Sequence, residues 1–248
     1  MTQEFFDVES PPAKDPLWLD IVEMILARDY ATPRHRQREL GPSEVAHPCM
    51  RRLAYAMMEV KPGNPAFDPL PSIIGTATHT WLQSAAAHAN MVLGRQRWLS
   101  ETRVQVTPGL SGSCDLYDTD TETVIDYKVP GATRFSKYRT DPGPVYKAQV
   151  FLYGRGFENA GRAVKRVALA FLPRGGFLKS LHIWQADYDP AVADAILRRR
   201  DATIGLLGDL QIDDHPERYE WIPKDPCDCE FCPWWSPNPT SPLQCGGP

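Results

Sequence analysis

Residues 112–128 read Gly-Ser-Cys-Asp-Leu-Tyr-Asp-Thr-Asp-Thr-Glu-Thr-Val-Ile-Asp-Tyr-Lys. Residues 114–117 and 123–129 suit two strands, and the polar run 118–122 suits the turn of a hairpin between them. Side chains alternate along a strand, so Asp126 and Lys128 share a face while Tyr127 points away. Asp115, on the neighbouring strand, meets that face. Two carboxylates of this kind hold a hard cation such as Mg²⁺ or Mn²⁺ and leave coordination positions for water and a phosphate oxygen. A lysine at the same edge orients a water or offsets charge on the phosphate. Such a cluster suits the hydrolysis of phosphodiesters. The competing reading is a surface hairpin with solvated charges, where an isolated Asp-x-Lys would belong.

Other residue pairs could join such a centre. Gly75 and His79 lie one turn apart on an expected helix over 71–91, where the glycine would let the helix approach a neighbour closely. A histidine in that position alone is more often a core or surface group than a ligand. Gln149 and Tyr153, four apart on an expected helix over 145–157, share a face. The six cysteines are unevenly spread: Cys227, Cys229, Cys232 and Cys245 crowd the tail, while Cys49 and Cys114 stand alone. In a reducing compartment that clustering favours a metal over disulfides. A [4Fe–4S] cluster or a tetrahedral zinc needs four thiolates, three of which the tail supplies, while Cys49 taken alone reads as a small buried hydrophobe. Cys245 is preferred to Cys227, because Cys227-x-Cys229 is cramped for two corners of one cluster.

The elements that must position these groups follow from the pattern. A helix over 15–27, opened by Asp15-Pro16, reads as a packing helix. One helix over 43–58 carries Cys49 and the pair Arg51-Arg52. A strand over 99–106 leads into the hairpin. Residues 132–144 read as a flexible connection whose Arg134, Lys137, Tyr138 and Arg139 either guide a nucleic-acid strand or are simply solvated. A second hairpin pairs 164–172 with 177–186 across Pro173 to Gly176. A helix follows over 189–207, with Arg198 to Arg200 on a solvated face. The tail is proline-rich and lacks a period, so its order calls for a staple. The expected architecture is a loose arm over 1–14 and a single α/β domain over 15–248.

Composition is that of an ordinary globular chain: 248 residues, 42% hydrophobic, 23% charged, net charge -4. No apolar run approaches a membrane span, and the N-terminus lacks a basic region followed by an apolar one. The chain therefore reads as cytoplasmic. A charge of -4 does not advertise nucleic acid, though it leaves room for a local basic groove.

Five pieces occur in order: Ser43-x5-Cys49-x-Arg51-x2-Ala54-Tyr55, Gly75-x3-His79, Gly112-x2-Asp115 with Asp126-x-Lys128, Gln149-x3-Tyr153, and the cysteine tail. The set resembles the PD-(D/E)XK nuclease superfamily, specifically its RecB-like exonuclease branch. That branch includes the nuclease domains of RecB and AddB, the CRISPR-associated RecB-like exonuclease and related phage exonucleases. The resemblance implies a restriction-endonuclease-like core, a central mixed sheet flanked by helices, and a metal-dependent DNA exonuclease. It implies that His79, Asp115, Asp126 and the Tyr127 carbonyl hold Mg²⁺ or Mn²⁺, that Lys128 positions water, and that Gln149 and Tyr153 fix the DNA strand. Glu101 matches a glutamate often found in the family, and an edge-strand charge explains it nearly as well. A structural [4Fe–4S] cluster on Cys49, Cys229, Cys232 and Cys245 is implied too, with Cys227 an extra candidate and a long gap from Cys232 to Cys245. Implied partners are single-stranded DNA or DNA with free ends, together with proteins of recombination, replication or CRISPR adaptation. The rival from another class is a non-catalytic DNA-binding or assembly module that retains the fold. A zinc-stapled nuclease is a variant of the first reading.

Overall fold

The computed structural model describes residues 16–31, 40–64, 68–226 and 228–248. The chain forms two units, 1–37 and 38–248. Helix α1 (Pro16–Ala31) belongs to the first, and the expected arm over 1–14 lies outside the described residues. Leu17, Ile21, Met24 and Ile25 on α1 are exposed.

The second unit runs α2 (Pro42–Val45), α3 (Met50–Met57), α4 (Leu70–Leu93), β1 (Trp98–Thr107), β2 (Leu110–Asp118) and β3 (Thr123–Lys128). It continues through α5 (Ala132–Thr140), α6 (Pro144–Asn159), β4 (Arg166–Phe171), β5 (His182–Asp187) and α7 (Pro190–Asp209). The five strands make one mixed sheet in the order β1-β2-β3-β4-β5, flanked by helices. Among the five described strands only β3 and β4 pair parallel, and a parallel pair needs a crossover, which α5 and α6 supply. The two expected hairpins are β2 with β3 and β4 with β5, with β1 leading into the first, although β5 starts later than the sequence suggested.

Helix α6 is the centre of the molecule. It is buried on nearly every face, as a helix between two layers must be. Val150, Tyr153 and Phe157 pack with Val104, Tyr117, Val124 and Leu169 of the sheet. Ala148 and Leu152 turn toward Val45, Leu53, Ala193 and Ile196 of α2, α3 and α7. Close approach requires glycine here: a Cβ on Gly156 would lie 2.6 Å from Val104 Cγ2.

Three expectations are corrected. The helix over 43–58 is two helices: Pro48 disfavours helical backbone before it, and Cys49 is extended, with φ −67° and ψ 113°, as the N-cap of α3. The flexible connection over 132–144 contains α5, anchored because Phe135 and Tyr138 pack against the core. Arg199 and Arg200 are not on a solvated face. Arg199 donates to the Val45 carbonyl at 2.7 Å and Arg200 to Thr107 Oγ1 at 2.6 Å, tying α7 to α2 and β1.

The tail has more to order it than a staple. Trp234, Cys232, Tyr219 and Ile222 form a core with Tyr55 and Leu207. Buried Arg51 donates to the carbonyls of Ile222 at 2.9 Å and Glu220 at 2.5 Å, Tyr55 to that of Pro242 at 2.7 Å, and the Trp234 indole to that of Val60 at 2.8 Å. These bonds replace the regular secondary structure that the prolines prevent.

Candidate active site

The site lies where β2 and β3 part. Their pairing runs from Asp118–Thr123 to Leu116–Ile125. One residue on, Asp115 stands across from Asp126, and the Asp115 side chain takes the Tyr127 N–H at 2.6 Å. Asp115, Asp126 and Lys128 therefore share the face that alternation assigned them. Gly112, three residues earlier, is required by packing: a Cβ there would lie 2.7 Å from Pro42 Cδ.

His79 comes from α4. Gly94, at φ 64°, ends that helix, and the Asn90 amide locks it to β1 by accepting from Arg97 and Trp98 N–H and donating to the Trp98 carbonyl. His79 Nδ1 reaches Asp115 Oδ1 at 3.2 Å, and that hydrogen bond holds the imidazole above its usual pKa against the opposing effect of burial. Gly75 does not serve close packing as expected. A Cβ there meets nothing within 4 Å, and the residue lines an open cleft of about 910 Å³ with His79, Glu101, Tyr127 and Lys128.

Glu101 enters as a full member of the site. It falls between the Ser100–Leu116 and Thr102–Cys114 pairs, across from Asp115. Its φ is 48°, a left-handed conformation that costs a non-glycine residue about 1–3 kcal/mol in a strand. One nitrogen of His79 and one carboxylate oxygen each of Glu101 and Asp115 lie within 4.8 Å of one another. Burial and the Asp115 charge push the Glu101 carboxyl up, the response of an acid crowded by another acid. In the sequence Glu101 stands out only through the resemblance to the nuclease branch; nothing in the local sequence indicates a positive φ.

Asp126 is 2% exposed. Burial pushes its carboxyl up, Lys128 pulls it back, and the net direction is up. Lys128 Nζ lies 2.6 Å from Asp126 Oδ2 as an ion pair, yet that buried oxygen accepts no well-directed hydrogen bond. Lys128 also donates to Gln149 Oε1 at 3.1 Å, and Gln149 Nε2 donates to the Tyr153 hydroxyl at 3.3 Å. Gln149 and Tyr153, expected to hold substrate, are buried instead at 7% and 6% exposure, with their polar atoms turned to Lys128 and to each other. Burial raises the Tyr153 phenol well above its usual range, so it is a neutral hydroxyl.

This donor set fits a hard divalent cation: two carboxylates and an imidazole converge, and a buried carboxylate oxygen with an unfilled acceptor position lies on the same face. Tyr127 contributes its N–H to Asp115, and its ring meets that of His79 edge-on at 6.0 Å.

A second convergence involves sulfur. Cys49, Cys229, Cys232 and Cys245 line one small cavity with Arg52, Tyr55 and Trp235. Cys114 is buried in the sheet core instead, and Cys227 lies outside the described residues. Among the described residues no three of these sulfurs come within 4.8 Å of one another.

No protein-family model matches the chain, and no curated protein matches it in sequence. Among solved structures, the chain is similar to the alkaline exonuclease LHK-Exo from Laribacter hongkongensis, alone and in complex with dAMP. Each shares 16% identity over 75% of this chain and 95% of that one, with a TM-score of 0.48. A phage-related exonuclease from Haemophilus somnus 129PT shares 15% identity over 66% of this chain and 82% of its own, with a TM-score of 0.46. At TM-scores below 0.5 these likenesses carry no functional weight.

Proposed function

We propose that the chain is a metal-dependent deoxyribonuclease of exonuclease type, with a separate structural [4Fe–4S] cluster. The observation that carries the reading is the convergence of His79, Glu101 and Asp115 in an open cleft beside the Asp126–Lys128 pair. His79, Glu101, Asp115 and Asp126 would hold Mg²⁺ or Mn²⁺, which supplies Lewis acidity toward a phosphate oxygen and lowers the pKa of a water. The Tyr127 carbonyl remains a further candidate donor. Lys128, held by Asp126 and Gln149, presents a fixed ammonium to the cleft, where it orients water and offsets the charge that develops on phosphate. Gln149 and Tyr153 are positioning residues, because they act through Lys128. The four cysteines would hold the cluster, which ties α3 to the tail and takes no part in hydrolysis.

The test is cleavage of end-labelled single- and double-stranded DNA with Mn²⁺ and with excess EDTA. Mononucleotide products released from ends, abolished by EDTA, are expected. Asp126→Asn and Lys128→Ala should each reduce the rate more than a thousandfold. Full activity in either variant or in EDTA would sink the reading. Anaerobically purified protein should carry roughly four irons per chain and little zinc. Bleaching by Cys227→Ala but not by Cys245→Ala would transfer the fourth ligand to Cys227.

A further inference from the structure

Beyond the reaction centre lies a second cleft of about 490 Å³, and the two share Tyr146 as a wall. Lys128 Nζ stands 4.7 Å from the centre of that ring, so the shared wall borders the proposed chemistry. Arg52 from α3 and Arg134 and Lys137 from α5 line the second cleft, with Asp228, 3.9 Å from Lys137 Nζ, the one carboxylate among its described lining residues. Gly143 to Tyr146, the start of the 16-residue α6, form another side, and a helix N-terminus carries partial positive charge. The lining also contains His47, which is 9% exposed and whose Nδ1 has no hydrogen-bond partner. A buried polar atom left open in a basic cavity indicates a missing acceptor or donor. Phe231 is 45% exposed on the opposite wall, with the Arg134 guanidinium 4.5 Å from its ring centre.

We infer that this cleft binds one nucleotide of a single-stranded nucleic acid next to the scissile one, its phosphate among Arg52, Arg134 and Lys137 and its base on Phe231. Cations and a helix N-terminus alone would suit any anion. The aromatic face beside them selects a ligand with phosphate and a flat ring together, and every base offers such a face. The volume lies within the range of small-ligand sites. The assignment rests on the nuclease reading for the direction of the strand, which passes from the metal site over Tyr146.

The experiment measures binding rather than cleavage. A fluorescein-labelled oligothymidylate is titrated against the full chain in EDTA by anisotropy, at several salt concentrations. Arg134→Ala/Lys137→Ala, both exposed on α5, should raise Kd at least tenfold and reduce the salt slope by about 0.7, the contribution of one phosphate contact for a single strand. Phe231→Leu should weaken binding about fivefold or more with the slope unchanged, which separates stacking from charge. Lys165→Ala, outside the cleft, should alter Kd little. An unchanged Kd in the double variant, or competition by polyglutamate as effective as that by unlabelled oligonucleotide, overturns the assignment. Cleft-dependent binding in a protein without Mn²⁺-dependent cleavage upholds the subsite and sinks the nuclease reading; cleavage without cleft dependence does the reverse.

Discussion

Glu101 adopts a positive φ at the cost of backbone energy, and what it gains is a carboxylate turned toward Asp115 and His79. Strain of this kind persists where the surroundings hold it. Glu101→Gly should therefore raise stability by about 1 kcal/mol through relief of that conformation, while the Mn²⁺ concentration for half-maximal cleavage rises about tenfold. Denaturation midpoints and a Mn²⁺ titration of the same preparation check both halves. Loss of metal affinity without a gain in stability would mean that the positive φ carries little strain. For Gln149 the expected signature is kinetic: Gln149→Leu should lower kcat about tenfold or more with KM little changed, and Gln149→Glu should restore part of it by again accepting from Lys128. A parallel loss in both variants would mean that Gln149 only fills space. Asp118 belongs to stability alone. Hydrogen bonds from Arg97 hold its carboxyl at about 2, below its ordinary 3.8. A depressed carboxylate stabilises the fold fully above about pH 4 and loses that contribution as pH falls toward 2. The stability difference between the wild type and Asp118→Asn should be flat from pH 7 to 5 and vanish over that acid window.

At the scale of elements, the site depends on how closely α6 lies against β1 and how α4 is hung from it. Ala at Gly156 would favour the helix by about 1 kcal/mol in isolation. Its Cβ meets Val104 at 2.6 and 2.8 Å, however, and overpacking of this kind costs about 1–3 kcal/mol. Gly156→Ala should lower Tm by a few degrees, measured by thermal unfolding; an unchanged or higher Tm would show that β1 gives way easily. α5 illustrates how tertiary contact overrides local reading. Its sequence has little helical period, yet the Tyr138 ring meets that of Tyr146 edge-on and that of Phe171 at a tilt, each at 5.3 Å, which fixes the segment beside the second cleft.

Across the whole molecule, α3 and the tail meet around the four-cysteine cavity although Cys49 and Cys229 lie far apart in sequence. The proposed cluster would close that loop and so stabilise the fold by roughly 5 kcal/mol in the chain-entropy model. Cys49→Ala should bleach the iron chromophore and lower Tm, but the Tyr55–Trp234 core and the Arg51 bonds should keep the chain folded. Cooperative unfolding by circular dichroism checks this, and global disorder in that variant would show that the staple outweighs the core.

The sequence by itself determined the face shared by Asp115, Asp126 and Lys128, because strand alternation is a local rule that needs only the two strands and the turn between them. It also determined the five strands, the main helices and the four cysteines that meet, since hydrophobic period and rare residue types survive without a neighbour to consult. Only the tertiary structure decided the rest. The burial of Gln149 and Tyr153, with their polar atoms turned to Lys128 and to each other, depends on where α6 is sandwiched, which no helical period encodes. The placement of Glu101 depends on a backbone angle held by packing. The ordering of α5, the break at Cys49 and the roles of Arg199 and Arg200 depend on partners distant in sequence. Such long-range contacts are set when the layers close on one another, and neither propensity nor spacing carries them.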